Sequence, residues 1–383
     1  MEVIIQFAKR LGLVKRILPI ITAISMLFSL VGGLAPTPGA LDQVKNVILL
    51  IGDGMGENHL KLAKQSLGIE LVMETMPLRG QQKTAAFGKA VTDSAAAATA
   101  LACGVRTLDG SLGVYPYDIY ALESYPISLT ELAMQRGMKT GVVTTDSTTG
   151  ATPSGFCAHT SKRGNAADIV AQQISSDIDL IWGSANSKTE QSNVQAGGYT
   201  YISTYTELMA INKAQKSFGQ FNGNFIWQTE NNENTPTLSQ MTTKAIDLLD
   251  GDEGFFLMVE HDHIDGFSHG NDADKMVISL QEFDNAIAVA LDFAQADGNT
   301  LVIVTADHET GAIQPEGDTY VYTSGSHSGV DVPLFVYGSS NFIKNGQAIK
   351  NKDLSIYVAR SLGFSAEEFP RKVPIYWADN QAA

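Results

Sequence analysis

The sequence predicts an α/β protein, a three-layer α/β/α sandwich around a central, mostly parallel sheet. Three observations carry that prediction. Four β-rich apolar runs each close on a polar or acidic residue: NVILLIGDG (46–54), TGVVTTD (140–146), GFFLMVE (254–260) and LVIVTAD (301–307). Continuous apolar runs are the mark of strands buried on both faces, and such sheets gather functional groups at the carboxyl ends of their strands. Helical patterns fall among these runs, at 127–136 (closing at Gly137), 165–175, 238–249 and 275–294. Strands alternating with helices imply a parallel sheet covered on both sides. The composition agrees, because 44% hydrophobic and only 17% charged residues describe a globular chain with a large core.

Taken in order, the chain opens with a basic segment, Lys9 to Arg16, then an uncharged apolar run over 17–34 and a break at Pro36, Pro38 and Gly39. This reads as a signal peptide or an N-terminal membrane anchor, outside the fold, in residues 1–40. The run is about long enough to span a bilayer. Export with cleavage is the expectation, with a tether through 17–34 as its alternative. Residues 41–383 then form one catalytic domain. Within it, 184–236 is rich in Ser, Asn, Gln, Thr and Gly and too sparse in apolar residues for a second core, so it reads as an elaborated polar connection.

The formal charge is −15, with +3 in residues 1–40 and −18 in the rest. So acidic a body argues against nucleic acid as a partner, which needs a basic face. It also sits awkwardly with an anionic substrate unless bound cations reverse the sign locally. Cys103 and Cys157 offer no disulfide framework and no Cys-x-x-Cys spacing.

Six segments carry candidate chemistry. The first strand run ends at Asp53, between two glycines that let backbone and ligand approach closely; alone, it is equally a turn or cap residue. Thr92-Asp93-Ser94 precedes a run of alanines, which places the Ser94 hydroxyl at a helix N-terminus, where unpaired N–H groups and the helix dipole favour an anion. Arg163 could make a two-pronged contact with a tetrahedral oxyanion, or be a solvated charge at a helix start. The stretch from Glu260 to His269 crowds acids and histidines at a strand end, where charges are rare unless paired or metal-bound. Asp265 and His269, four apart, can converge on one zinc if the turn between them is helical. His261 and His263 read as supporting or surface groups. Asp307-His308 closes the last run; adjacent residues can share an ion only where the strand is already turning. His327, in a Gly-Ser-His-Ser-Gly loop, is by itself a surface histidine.

In this order and at these separations, the segments from about Asn46 to Tyr337 resemble alkaline phosphatases. They include Thr92-Asp93-Ser94-Ala95-Ala96, Ala151-Thr152-Pro153, Ala158-His159 through Arg163, Glu260 with Asp265 and His269, Thr305-Ala306-Asp307-His308, and His327. The resemblance implies a phosphate monoester hydrolase that works through a phosphoserine on Ser94, with Arg163 binding phosphate. It implies two zinc ions, the first on Asp265, His269 and His327 and the second on Asp53, Asp307 and His308. It also implies one magnesium ion on Asp53, Thr152 and Glu260. Small phosphate monoesters are the implied substrates, and dimers are common in the family, although the sequence marks no interface.

Two positions depart from the pattern. Gly150 stands where relatives often carry Asp or His, so a weaker or differently occupied third site is expected. Gly266 stands where relatives often carry Lys, His or Trp, which leaves a roomier pocket edge. That edge keeps a phosphodiesterase on the same scaffold as the alternative function. A sulfatase would need a Cys-or-Ser-x-Pro-x-Arg setting, which Ser94 lacks. A non-catalytic binding protein would be expected to have lost the serine or ligands.

Overall fold

The computed structural model describes residues 41–120, 123–222 and 234–374. The leader or anchor expected in residues 1–40 lies outside them. Among the described residues no helix is long and apolar enough to cross a membrane.

Ten strands form the central sheet. They are β1 (Asn46–Gly52), β2 (Leu78–Lys83), β3 (Lys139–Ser147), β4 (Leu180–Ser184), β5 (Thr200–Ile202), β6 (Ser217–Phe221), β7 (Phe255–His261), β8 (Thr300–Thr305), β9 (Val332–Tyr337) and β10 (Ala348–Lys350). Their order is β10-β2-β9-β8-β1-β7-β3-β4-β6-β5. Only β9 runs against its neighbours; every other adjacent pair is parallel.

The pleat of β1 shows why its sequence is apolar without alternation. Val47, Leu49 and Ile51 pack with Leu101, Leu132 and Val358 from the helices Ser94–Cys103, Leu129–Met134 and Asn351–Ser361. Ile48 and Leu50 face the other way, with Leu60, Met241 and Phe283 from the helices Glu57–Leu67, Leu238–Leu249 and Ala273–Asp297. Both faces are therefore covered, and the three-layer sandwich is the observed architecture. Each such side chain contributes roughly 1.5–3 kcal/mol by leaving water.

Local capping chemistry sets the helix ends. Thr237 and Gln240 make a reciprocal capping box that starts the helix Leu238–Leu249, with the bounds expected. The pattern at 127–136 narrows to Leu129–Met134, because Ser128 caps the helix in a box with Glu131 and leaves Ile127 outside it. The last long helix extends beyond 275–294, from its Asp272 cap to a left-handed Gly298.

The segment 184–236 carries more than a connection: β5 and β6 lie within it and extend the sheet to its far edge. Val194, Tyr199 and Phe218 pack on Ile181 of β4. Strands this short need few apolar residues, so composition conceals them.

Register brings the strand ends together. Ile51 pairs with both Glu260 and Thr305, Gly52 with His261, and Thr144 with Glu260. The residues that follow or close these strands (Asp53, Asp146, Glu260 and Asp307) consequently emerge at one edge of the sheet.

Candidate active site

Ser94 opens the helix Ser94–Cys103, and its side chain is almost wholly buried. Asp93 caps that helix by accepting the Ala96 N–H at 3.0 Å. Its second oxygen accepts the Gly110 N–H at 3.0 Å and pairs with Arg163 Nη1 at 3.2 Å. One carboxylate thus fixes the helix start and holds the guanidinium beside it. Arg163 remains 43% exposed, so part of its fork is free for a ligand. Ser94 Oγ lies 3.2 Å from His308 Nε2.

Asp265 and His269, from one helix, converge with His327 from another segment. His269 Nε2 is 3.2 Å from Asp265 Oδ2 and 3.1 Å from His327 Nε2, and His327 Nε2 is 3.7 Å from Asp265 Oδ1. The other ring nitrogens face backbone carbonyls: His269 Nδ1 meets Gly325 O at 2.8 Å, and His327 Nδ1 meets Thr92 O at 2.9 Å. A carbonyl only accepts, so each Nδ1 carries a proton, and in the neutral ring each Nε2 presents a lone pair. Two lone pairs and a carboxylate aimed at one point repel unless a cation lies there. The helix His263–His269 makes this possible by placing residues four apart on one face.

Asp53, Asp307 and His308 form a second, fully buried group of converging donors. His308 Nε2 lies 3.2 Å from Asp307 Oδ2 and 3.5 Å from Asp53 Oδ1. Both of those oxygens lack a hydrogen-bond partner. The other oxygen of Asp307 is held by the N–H groups of Gly54 and His308, at 3.2 and 2.8 Å. Thr310 donates its hydroxyl to Asp265, so its oxygen accepts from His308 Nδ1 at 3.3 Å. This again leaves Nε2 bare. A hydrogen bond on the far nitrogen is how metal-binding imidazoles are oriented.

A third group joins Asp53, Glu260 and Asp262. Thr152 donates to Asp53 Oδ2 at 3.4 Å, and Thr144 donates to one Glu260 oxygen while the other has no partner. The donor sets fit the groups the family implies. Mixed imidazole and carboxylate suits zinc, and carboxylate with hydroxyl suits magnesium.

Electrostatics make the same point. Burial, reinforced by Asp307 and Asp265, raises the Asp53 carboxyl well above its usual range. Burial, then Asp146 and Asp262, does so for Glu260. Burial lowers His308 to about 3, so its ring is neutral at neutral pH and can act as a ligand. Such groups hold their charge only beside an opposite one.

Every predicted ligand residue and Ser94 therefore lies in this one region. His261 differs from expectation. It is buried, neither ring nitrogen has a partner, and its ring edge faces Phe283. The pleat turns it away from Glu260 and into the core. His263 is half-buried and bonds Thr145 Oγ1 at 3.1 Å, so neither histidine is a surface group. Sequence reading missed Asp262, Asp146 and Thr310. The signals available were the acid that closes TGVVTTD at 146 and the crowd of acids from Glu260 to His269.

The sandwich, with a serine at a helix start facing histidines and carboxylates on strand ends, defines a class of phosphate-ester hydrolase. A family model described as alkaline phosphatase matches residues 44–189 and 182–324. Alkaline phosphatase 3 of Bacillus subtilis (strain 168) is 34% identical over 327 residues, covering 78% of this chain and 70% of that protein. The structure of alkaline phosphatase from the Antarctic bacterium TAB5 is 28% identical, with a TM-score of 0.73 over 85% of this chain and 99% of that one. A mutant of that enzyme has been solved with Mg bound in its M3 site. The chain belongs to the alkaline phosphatase family and is a phosphatase.

Proposed function

We propose that this phosphatase hydrolyses small phosphate monoesters through a phosphoserine on Ser94, with two zinc ions and one magnesium ion bound. The carrying observation is the buried Ser94 Oγ at 3.2 Å from His308 Nε2, a nitrogen that also faces Asp53 and Asp307. Asp265, His269 and His327 would hold the first zinc, Asp53, Asp307 and His308 the second, and Asp53, Thr152 and Glu260 the magnesium. When bound, such cations supply Lewis-acid stabilisation of developing oxyanions.

The chain's own residues do the rest. The helix N-terminus and Arg163 hold the phosphoryl oxygens in line with Ser94 Oγ. Ser94 gives up its hydroxyl proton to solvent, its Oγ bonds to phosphorus as the bond to the alcohol oxygen breaks, and the alcohol departs with a proton from solvent. Water then attacks the phosphoserine from the vacated side, which releases phosphate and returns the proton to Ser94. Charge spreads over the transferring group in the transition state, so positioning and electrostatics dominate. These contacts grip phosphate and ignore the alcohol, which supports broad substrate acceptance.

Initial rates on p-nitrophenyl phosphate and on its bis-ester, with zinc and magnesium counted in the purified protein, test this reading. Faster turnover of the diester would instead support a phosphodiesterase, which the phosphatase relatives do not favour. The apolar run at 17–34 supports export to the periplasm, cell surface or medium, with cleavage or a tether. Fractionation of full-length protein checks that, and light scattering checks for the homodimer.

A further inference from the structure

We propose that Asp262 is a ligand of the third cation, and that Asp146 lines the same site from the space left by Gly150, making it an oxygen-only seat for a hard divalent cation such as Mg2+. This rests on the metal-dependent reading above and adds two residues to it.

Asp262 stands at the N-cap of the helix His263–His269, yet its side chain accepts no bond from that helix. Aspartate at this position ordinarily caps. Its backbone N–H is instead tied to Thr145 Oγ1 at 2.9 Å, and its carboxylate joins Asp53 and Glu260, with one oxygen from each within 4.8 Å of the others. Glu260 is 1% exposed and its Oε1 has no partner. A buried carboxylate oxygen is costly to leave bare. Three carboxylates converging beside this orphan oxygen mark a place for a cation.

Asp146 comes from the end of β3. Its Oδ1 accepts the Ser147 N–H at 2.6 Å. Its Oδ2 lies 1.6 Å from where a Cβ on Gly150 would be, so any side chain at 150 would evict this carboxylate. The Asp146 N–H donates to Thr144 Oγ1 at 2.8 Å, the same hydroxyl that donates to Glu260, so Asp146 stands one hydroxyl away from that ligand. The glycine therefore does not simply delete a donor. It makes room for one supplied from four residues earlier. Magnesium keeps several waters and takes oxygen ligands at about 2.0–2.1 Å, so Asp262 suits direct contact and Asp146 suits holding those waters.

The test is Mg2+ titration by calorimetry into zinc-loaded full-length protein, with metal content measured in parallel. Asp262→Asn is expected to weaken Mg2+ binding at least roughly 10-fold, the lower end for losing a ligand or its support, while zinc stays at the wild-type level. Gly150→Ala should also weaken it, and should add nothing in an Asp146→Asn background, because both changes remove one carboxylate. Unchanged Mg2+ affinity in Asp262→Asn overturns the proposal, as does a wild-type protein that holds zinc but takes up no Mg2+. Additive effects of Gly150→Ala and Asp146→Asn would remove Asp146 from it. A wild-type protein that binds neither metal would instead overturn the metal-dependent reading itself. Should Asp262→Asn fail to fold, Asp262→Ser takes its place, with the same loss of Mg2+ affinity expected and unchanged affinity again overturning the proposal.

Discussion

The Nε2 atoms of His269 and His327 face each other at 3.1 Å, while each ring's Nδ1 is committed to a backbone carbonyl. As neutral rings neither can donate to the other, which leaves two lone pairs for a cation to join. Replacing His327 with Ala should remove zinc from this site. Metal analysis is expected to find one zinc fewer per chain, with the second site retained. Unchanged zinc content would break the link between tautomer and ligand.

Ser94→Ala keeps the helix start, because the cap is Asp93 and not the serine. Folding and metal content should match wild type, and turnover of p-nitrophenyl phosphate should fall by roughly 10³-fold or more. Acid quenching during turnover should trap labelled phosphate on the wild-type protein and none on the variant.

The metal-free protein should lose stability with rising pH above about 6.5. The sign follows from the raised carboxyls of Asp53, Glu260 and Asp262, which hold protons in the folded state that the unfolded chain has lost. His308 and His59, each lowered to about 3, act oppositely but only below their ordinary value of 6.5. Thermal melts in chelator across this range should slope downward, and zinc with magnesium should flatten them.

Gly54 adopts φ +74°, and a Cβ there would stand 2.8 Å from Asp265 Cα and Cβ. Gly54→Ala must pay about 1–3 kcal/mol for the left-handed conformation and also push Asp265 off its histidines. A lowered melting temperature together with weakened zinc binding is expected; a stability loss with intact zinc affinity would contradict the close approach.

Gly266 has nothing within 4 Å of an added Cβ, as its open pocket edge implies. Gly266→Trp should fold as well as wild type, since removing a helical glycine gains up to about 1 kcal/mol. It should raise KM for bulky monoesters several-fold more than for small ones. Equal effects on both would show that this edge does not face the alcohol.

Much of the site was legible because its parts obey local rules. Strands buried on both faces are apolar throughout, and their acidic ends stand out; Asp53, Glu260 and Asp307 were visible for that reason. Ser94 was visible because an acid before a serine and a run of alanines is a helix start. Whether His261 would support the site or face solvent was not legible, because alternation along a strand end does not say which side the core takes. Phe283, on a helix beginning twelve residues later, decides that.

In the sequence Asp146 was one more acid at a strand end, and Asp262 one more acid in the crowded stretch from Glu260 to His269. Their convergence depends on β3, β7 and β1 standing side by side in register, a relation among segments about a hundred or more residues apart. The sequence by itself determined the sandwich, the acidic strand ends and the serine at its helix start, because hydropathy period and capping act within a few residues. Only the tertiary structure decided which lone pairs confront one another, because that follows from register and from which ring nitrogen a distant carbonyl holds.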